Sequence, residues 1–267
     1  MIRLLTLLLS ALALAFCQPT TAPKNTSPHP RGALLPSSIN AVIPHITHGS
    51  YWRSTLIIMN VSVDPAFYRI QFFQPNGNNA SFKSVELGNV HEVYGVLQPG
   101  GSARLRSIVD ASPTETLYWA EIVEGSGKIQ VTTVFTLNFP GIQPVEFTVP
   151  NTDYLSLDRI YFPFDNTEGN GTAIALANAV DFYDMVYRVE ARNEFGANIF
   201  SGTISLAARH NMTGVLSSMF PQLANQKGVI VLSADASSPT SLMYCSPLVL
   251  RFNAGWSLTY IPAYDQY

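Results

Sequence analysis

The chain has 267 residues, 47% of them hydrophobic, 11% aromatic and only 12% charged, with a formal net charge of −3 and a pI near 5.9. Soluble domains carry about 25% charged residues; here no Lys/Arg cluster occurs, which argues against a nucleic-acid partner, since that needs a basic stripe to release counterions. Two cysteines make no disulfide framework, and the length suits one large β domain or two of about 100 residues, each able to bury a core unaided.

Met1-Ile-Arg-Leu gives a short positive start, and residues 4–16 form an apolar run too short to span a bilayer. This predicts a signal peptide over residues 1–15, cut after Ala13-Leu14-Ala15, with Ala11-Leu12-Ala13 as a second option, and hence an exported protein. Leu14-Ala15-Phe16-Cys17 resembles a bacterial lipobox, with Phe16 where that motif takes a small residue. Lipidation of Cys17 is the one route by which this sequence would reach a membrane. Residues 16–39 are rich in Pro, Thr and Ser, cannot bury enough apolar surface to offset their ordering, and read as a spacer.

From residue 42 the pattern is β. Residues 55–61 are rich in β-branched and apolar side chains, and residues 66–73 begin a second run that Gln74-Pro-Asn-Gly-Asn-Asn breaks. Asn76-Gly77 is the strongest short hairpin signal available. An apolar run at 93–97, a Gln98-Pro-Gly-Gly-Ser turn and alternation over 103–109 follow. Further strands are expected at 117–123 and 129–137, parted by Glu124-Gly-Ser-Gly. Short strands at roughly ten-residue spacing with turn chemistry between them predict an antiparallel sandwich.

Residues 160–178 repeat the grammar of residues 42–60. Pro163 answers Pro44 (163 − 44 = 119) and Asn178 answers Asn60 (178 − 60 = 118). Residues 183–191 answer 66–73, Phe195-Gly196 stands where Asn76-Gly77 stood (196 − 77 = 119), and Ala207-Ala-Arg-His replaces the Pro-Gly-Gly turn. The segment 213–221 has no counterpart and predicts a short helix, capped by Asn211 or Thr213 and ended by Pro221. Residues 229–234, 242–252 and 258–261 supply the last strands, with Cys245 as a small buried hydrophobe. The expected fold is all-β: two tandem antiparallel β-sandwich (Ig-like) domains, residues 40–150 and 151–267, related by an internal repeat, with one short helix in the second.

Phe162-Pro-Phe-Asp-Asn, Thr172-Ala-Ile-Ala-Leu-Ala-Asn, Met219-Phe-Pro and Leu250-Arg-Phe-Asn-Ala-Gly resemble a tandem β-sandwich module of secreted and cell-surface proteins of environmental bacteria, notably acidobacteria. The resemblance covers about residues 42–263 and implies the sandwich fold and an extracellular setting. It brings no catalytic residues. The first copy departs from it, carrying His45, His48 and Trp52 where small residues or Gly are commoner.

Candidate chemistry is sparse. His45 and His48 are read as loop histidines flanking a turn; with His91 and His210 far along the chain, they lack the spaced third ligand of a zinc site. No Gly-x-Ser-x-Gly elbow occurs, so a hydrolase has no sequence anchor. The loop holding Asp165, Asn166, Glu168 and Asn170 offers oxygen ligands to calcium, with Asp181 and Asp184 nearby, but lacks the spacing of an EF-hand; Asn and Gly also suit a tight turn. Among the aromatics, which include Tyr118, Trp119, Trp256, Tyr260, Tyr264 and Tyr267, Tyr51-Trp52 in an expected turn is the best candidate for an exposed platform stacking on sugar rings. The leading expectation is a non-enzymatic structural or adhesive surface module without a cofactor. The alternative is carbohydrate binding through Tyr51 and Trp52, and a sandwich hydrolase ranks third. Expected partners are a polysaccharide, a cell-surface protein, or further copies joined through edge strands.

Overall fold

The computed structural model describes residues 41–265, leaving out 50, 109–114, 125–126, 142, 151, 154, 158, 240–242 and 254–256, and the side chains at 124, 152–153, 155–157, 243–244 and 265. The expected leader, the spacer, Cys17, Trp256 and Tyr267 lie outside the described residues. By contact density the chain divides into two compact units: Pro36–Leu155 with Arg209–Asn211, and Ser156–Ala208 with Met212–Tyr267.

The first unit carries β1 (Ala41–His48), β2 (Trp52–Asn60), β3 (Ala66–Phe73), β4 (Phe82–Ser84), β5 (Gly88–Val90), β6 (Glu92–Leu97), β7 (Ser102–Arg106), β8 (Thr116–Glu124), β9 (Ile129–Leu137), β10 (Val145–Pro150) and β11 (Thr152–Asp153). They form two antiparallel sheets, ordered β11-β1-β8-β3-β6 and β10-β9-β2-β7, with β4-β5 as a separate ribbon. The second unit carries β12 (Leu155–Leu157), β13 (Arg159–Asp165), β14 (Gly171–Ala177), β15 (Met185–Arg192), β16 (Asn198–Leu206), β17 (Asn211–Val215), α1 (Leu216–Met219), β18 (Lys227–Ala234), β19 (Met243–Phe252), β20 (Leu258–Ile261) and β21 (Tyr264–Asp265). Its sheets are ordered β16-β15-β18-β13-β21 and β12-β19-β14-β17, with β20 also on β19.

These orders map onto each other. Reading β13 for β1, β14 for β2, β15 for β3, β16 for β6, β17 for β7, β18 for β8, β19 for β9, β20 for β10 and β21 for β11 reproduces both sheets of the first unit. The internal repeat is therefore a repeat of strand connectivity, and the fold is of the antiparallel β-sandwich class.

Alternation along the strands builds each core, because successive side chains point to opposite faces. In β2, Leu56 and Ile58 are buried while their neighbours are half-exposed; in β15, Met185, Tyr187, Val189 and Ala191 take that role. Leu56, Ile58, Ile70, Phe72, Ile122 and Val131 share one cluster, and Phe162, Leu176, Tyr187, Leu232 and Val249 share the other. Cys245 is a buried free thiol in the second.

The repeated asparagines have a structural reason. Asn60 follows the core run of β2 and donates from Nδ2 to the carbonyls of Asp64 (2.8 Å) and Leu97 (2.9 Å), while its Oδ1 accepts the Ser62 amide at 2.8 Å. Asn178 follows β14 and donates to Tyr183 (3.2 Å), Leu206 (3.3 Å) and Ala207 (3.1 Å), accepting from Val180 at 3.1 Å. Both amide side chains are buried, and buried polar groups need such partners, so both copies keep the amide.

Two local expectations are corrected and a third, the hairpin, is found in short form. His45 and His48 are not loop residues: β1 is buried along its whole length, and the reversal waits for Gly49 (φ 106), which exchanges backbone bonds with Trp52. Asn76-Gly77 does turn the chain, with Gly77 at φ 81 and its amide on the Gln74 carbonyl, and a short hairpin closes over it. Phe73 bridges Asn79 antiparallel, the Gln74 amide donates to the Asn78 carbonyl at 2.8 Å and the Ala80 amide to the Phe72 carbonyl at 2.9 Å, while the longer ladders of β3 run with β6 and β8 and β4 pairs with β5. Asn211 and Thr213 do not cap the helix. They lie in β17, and α1 starts after Val215 with no side-chain cap, while Pro221 opens a 3-10 turn.

Candidate functional site

Trp52 does not stand in a turn. It opens β2, is only 7% exposed, and meets the edge of Phe147 at 6.3 Å between centroids. Phe147 stacks on Phe135 at 4.9 Å, and Phe135 on His45 at 5.8 Å, so the indole ends an aromatic row inside the first unit. Burial holds His45 down to about 4, which keeps the ring neutral at pH 7. Tyr51 is half-buried and packs on Phe139 at 4.7 Å. A flat exposed platform of Tyr51 and Trp52 is thus corrected: the strand alternation that buries Leu56 and Ile58 also turns Trp52 inward.

Trp52 instead reaches a different feature. It hydrogen-bonds the carboxyl of Glu115, which lines an open groove of ≈ 490 Å³ together with Gln74, Pro75, Ser81, Thr116, Leu117 and Tyr118. Burial raises the Glu115 carboxyl to about 7, outweighing the lowering effect of the Trp52 hydrogen bond. The groove is built from both sides of the Asn76-Gly77 turn and from the start of β8. Trp119 fixes this junction, donating from Nε1 to the Gln74 carbonyl at 3.0 Å while its ring stacks on Phe73 at 4.6 Å. Tyr118 also lines the groove. It stacks on His48 at 5.2 Å, meets Phe82 edge-on at 5.9 Å, and its hydroxyl donates to the Ser81 carbonyl at 3.3 Å.

Chemically, the lining combines an amide, the hydroxyls of Ser81, Thr116 and Tyr118, and one carboxyl that changes charge near neutrality. Glu115 is its only carboxylic acid among the described lining residues. Sequence reading missed it because its partner Trp52 lies 63 residues away (115 − 52 = 63), and a lone Glu before an aromatic strand carries no pattern.

The Asp165 loop joins β13 to β14, and its groups serve the turn. Asp165 accepts from the Thr167 amide (3.0 Å) and hydroxyl (2.7 Å), from Asn170 Nδ2 (3.2 Å), and forms an ion pair with Arg251 at 2.8 Å. Partial burial would raise its carboxyl, but the Thr167 bonds and the Arg251 charge hold it below the usual range. Asn166 points inward, donating to the Leu223 carbonyl at 3.0 Å and accepting the Thr172 amide at 2.9 Å. Glu168 is exposed at φ 53 beside Gly169 at φ 77. Asp184 accepts the Ala208 amide at 2.9 Å, and Asp181 is exposed. His91 shares a hydrogen bond with the Ala80 carbonyl at 2.9 Å. Among the described residues no group of three His, Cys, Asp or Glu is placed to hold a metal ion.

No protein-family model and no curated protein matches the chain. Among solved structures, the Pleurotus ostreatus lectin in its apo form aligns with 94% of this chain and 88% of that one, at 11% identity and a TM-score of 0.18. A likeness at that score defines neither the fold nor the function of this chain.

Proposed function

We propose that this protein is an exported, non-enzymatic adhesive module that holds a neutral, hydroxyl-rich ligand, a polysaccharide by class, in the Glu115 groove. The observation that carries the reading is the groove itself, whose lining brings Gln74, Ser81, Thr116, Tyr118 and Glu115 together. Pockets for small polar ligands combine an apolar or aromatic wall with a few placed hydrogen-bonding groups. Below neutrality a protonated Glu115 both donates and accepts, which suits sugar hydroxyls; above it the carboxylate only accepts. Glycoside cleavage generally takes two carboxyl groups flanking one bond, and the described lining supplies one. Export is carried by the leader sequence alone.

The test is retention of purified residues 40–267 on a panel of soluble and insoluble polysaccharides, run on both sides of neutrality beside Glu115→Gln and Gln74→Ala. Retention on a glycan that both variants lose supports the groove. Retention nowhere, or retention that the variants keep, removes it.

A further inference from the structure

Strand β6 ends its sheet: β3 lies on one side, and no strand follows on the other among the described residues. Its hydrogen-bond phase can be read from one bond, the Phe72 amide on the His91 carbonyl at 3.0 Å, which continues the β3–β6 register. Antiparallel pairs alternate between bonded and non-bonded types. Ile70/Val93 and Tyr68/Gly95 are therefore bonded pairs, and the amides and carbonyls of Glu92, Tyr94 and Val96 point to the open edge.

The same three residues send their side chains outward. Tyr94 is 68% exposed and Val96 60%, and Phe67, directly across from Val96 on β3, is 38% exposed. Exposed apolar side chains on a free edge favour strand addition, and natural edges are usually blunted with Lys, Pro or a bulge. Strand β6 has no Lys or Pro and pairs with β3 without a register shift.

The second unit supplies an internal control. Leu97 and Leu206 are equivalent, since each receives the repeated asparagine's Nδ2. Counting back, Val96 corresponds to Ser205, Tyr94 to Thr203 and Glu92 to Ser201, and all three on β16 are exposed polar residues. The same edge position is thus polar in one unit and apolar in the other. Strand geometry does not require Tyr94 and Val96.

We propose that β6 is a self-association edge, where two copies of this chain pair β6 against β6, antiparallel, across a two-fold axis at Tyr94. This goes beyond the groove reading and does not depend on it. The outward residues suit a second copy: in the register that uses all three, Tyr94 faces its symmetry mate and Glu92 faces Val96, so no like charges oppose. The pairing is isologous and closes after two copies. An interface of three outward residues per strand falls at the small, weak end of specific interfaces, so the dimer forms reversibly as concentration rises.

Sedimentation velocity of the purified chain over a concentration series tests this. The expected result is a monomer–dimer shift that Val96→Lys abolishes and that Ser205→Lys, at the equivalent position of the other unit, leaves unchanged, with both variants folded by circular dichroism. Slowed hydrogen exchange at the Tyr94 and Val96 amides in the concentrated sample should accompany it. A wild type that stays monomeric at every concentration overturns the proposal, even where the edge accepts a strand from another protein. So does a dimer that Val96→Lys leaves intact. Val96→Lys should keep any glycan retention, which separates this failure from failure of the groove reading.

Discussion

Asn60 and Asn178 close the same junction in their respective units, each donating from Nδ2 to the final carbonyl of the edge strand, Leu97 at 2.9 Å and Leu206 at 3.3 Å. Both side chains are buried, so their own amide groups depend on these bonds. Replacing either asparagine with Ala should lower unfolding free energy by about 1–3 kcal/mol, the cost of losing several hydrogen bonds at one junction. Asn→Asp should be no milder, because a carboxylate cannot donate. Denaturant titration of the four single variants measures it; a loss below about 0.5 kcal/mol, the size of an ordinary surface change, would show the junction is not needed.

Glu115 and His45 should tilt the pH dependence of stability in opposite directions. The folded carboxyl titrates near 7, above its ordinary value of 4.5, so between those values the folded state holds a proton the unfolded chain has lost. Its contribution is full below pH 4.5 and fades as pH rises through 7. The His45 ring titrates near 4 instead of 6.5, so folding excludes a proton and stability is lost as pH falls from 6.5 toward 4, by up to about 3 kcal/mol. Glu115→Gln should therefore steepen the acid-side loss, and His45→Phe should flatten it. Unfolding curves across this window that overlay for wild type and both variants would contradict the assignment.

The Cys245 thiol, pushed up to about 12 by complete burial, should be inert in the native state. The reactive species is the thiolate, and neither charge nor access favours it there. In residues 40–267, which carry this one cysteine, labelling by a thiol reagent should track global unfolding. Fast labelling in buffer would place the residue elsewhere.

Gly228, in β18 opposite Phe164, has φ 152, and a Cβ there would collide with the Arg192 carbonyl oxygen. Backbone cannot yield as a flexible side chain can. Gly228→Ala should cost more than the roughly 1 kcal/mol typical of point variants, read as a drop in midpoint temperature. Gly196→Ala is a comparison with positive φ but open space around it, and should cost less.

Much of the scaffold was legible in the sequence. Alternating runs, Gly- and Asn-bearing turns and the spacing of Pro44/Pro163 and Asn60/Asn178 are local or periodic signals, and they determined an all-β, repeated chain with one short helix near Met219. The groove and the edge were not legible. Period two says that Trp52 and Ser54 share a face, but only pairing with β9 and packing on Phe147 decide that this face is covered. Likewise, the composition of β6 and β16 is plain in the sequence, yet only the strand order makes both of them edges. Tertiary structure alone brings Trp52 to Glu115 and, among the described residues, puts Tyr94 and Val96 on a strand at the end of its sheet, because burial and edge membership are set by contacts between residues far apart in the chain.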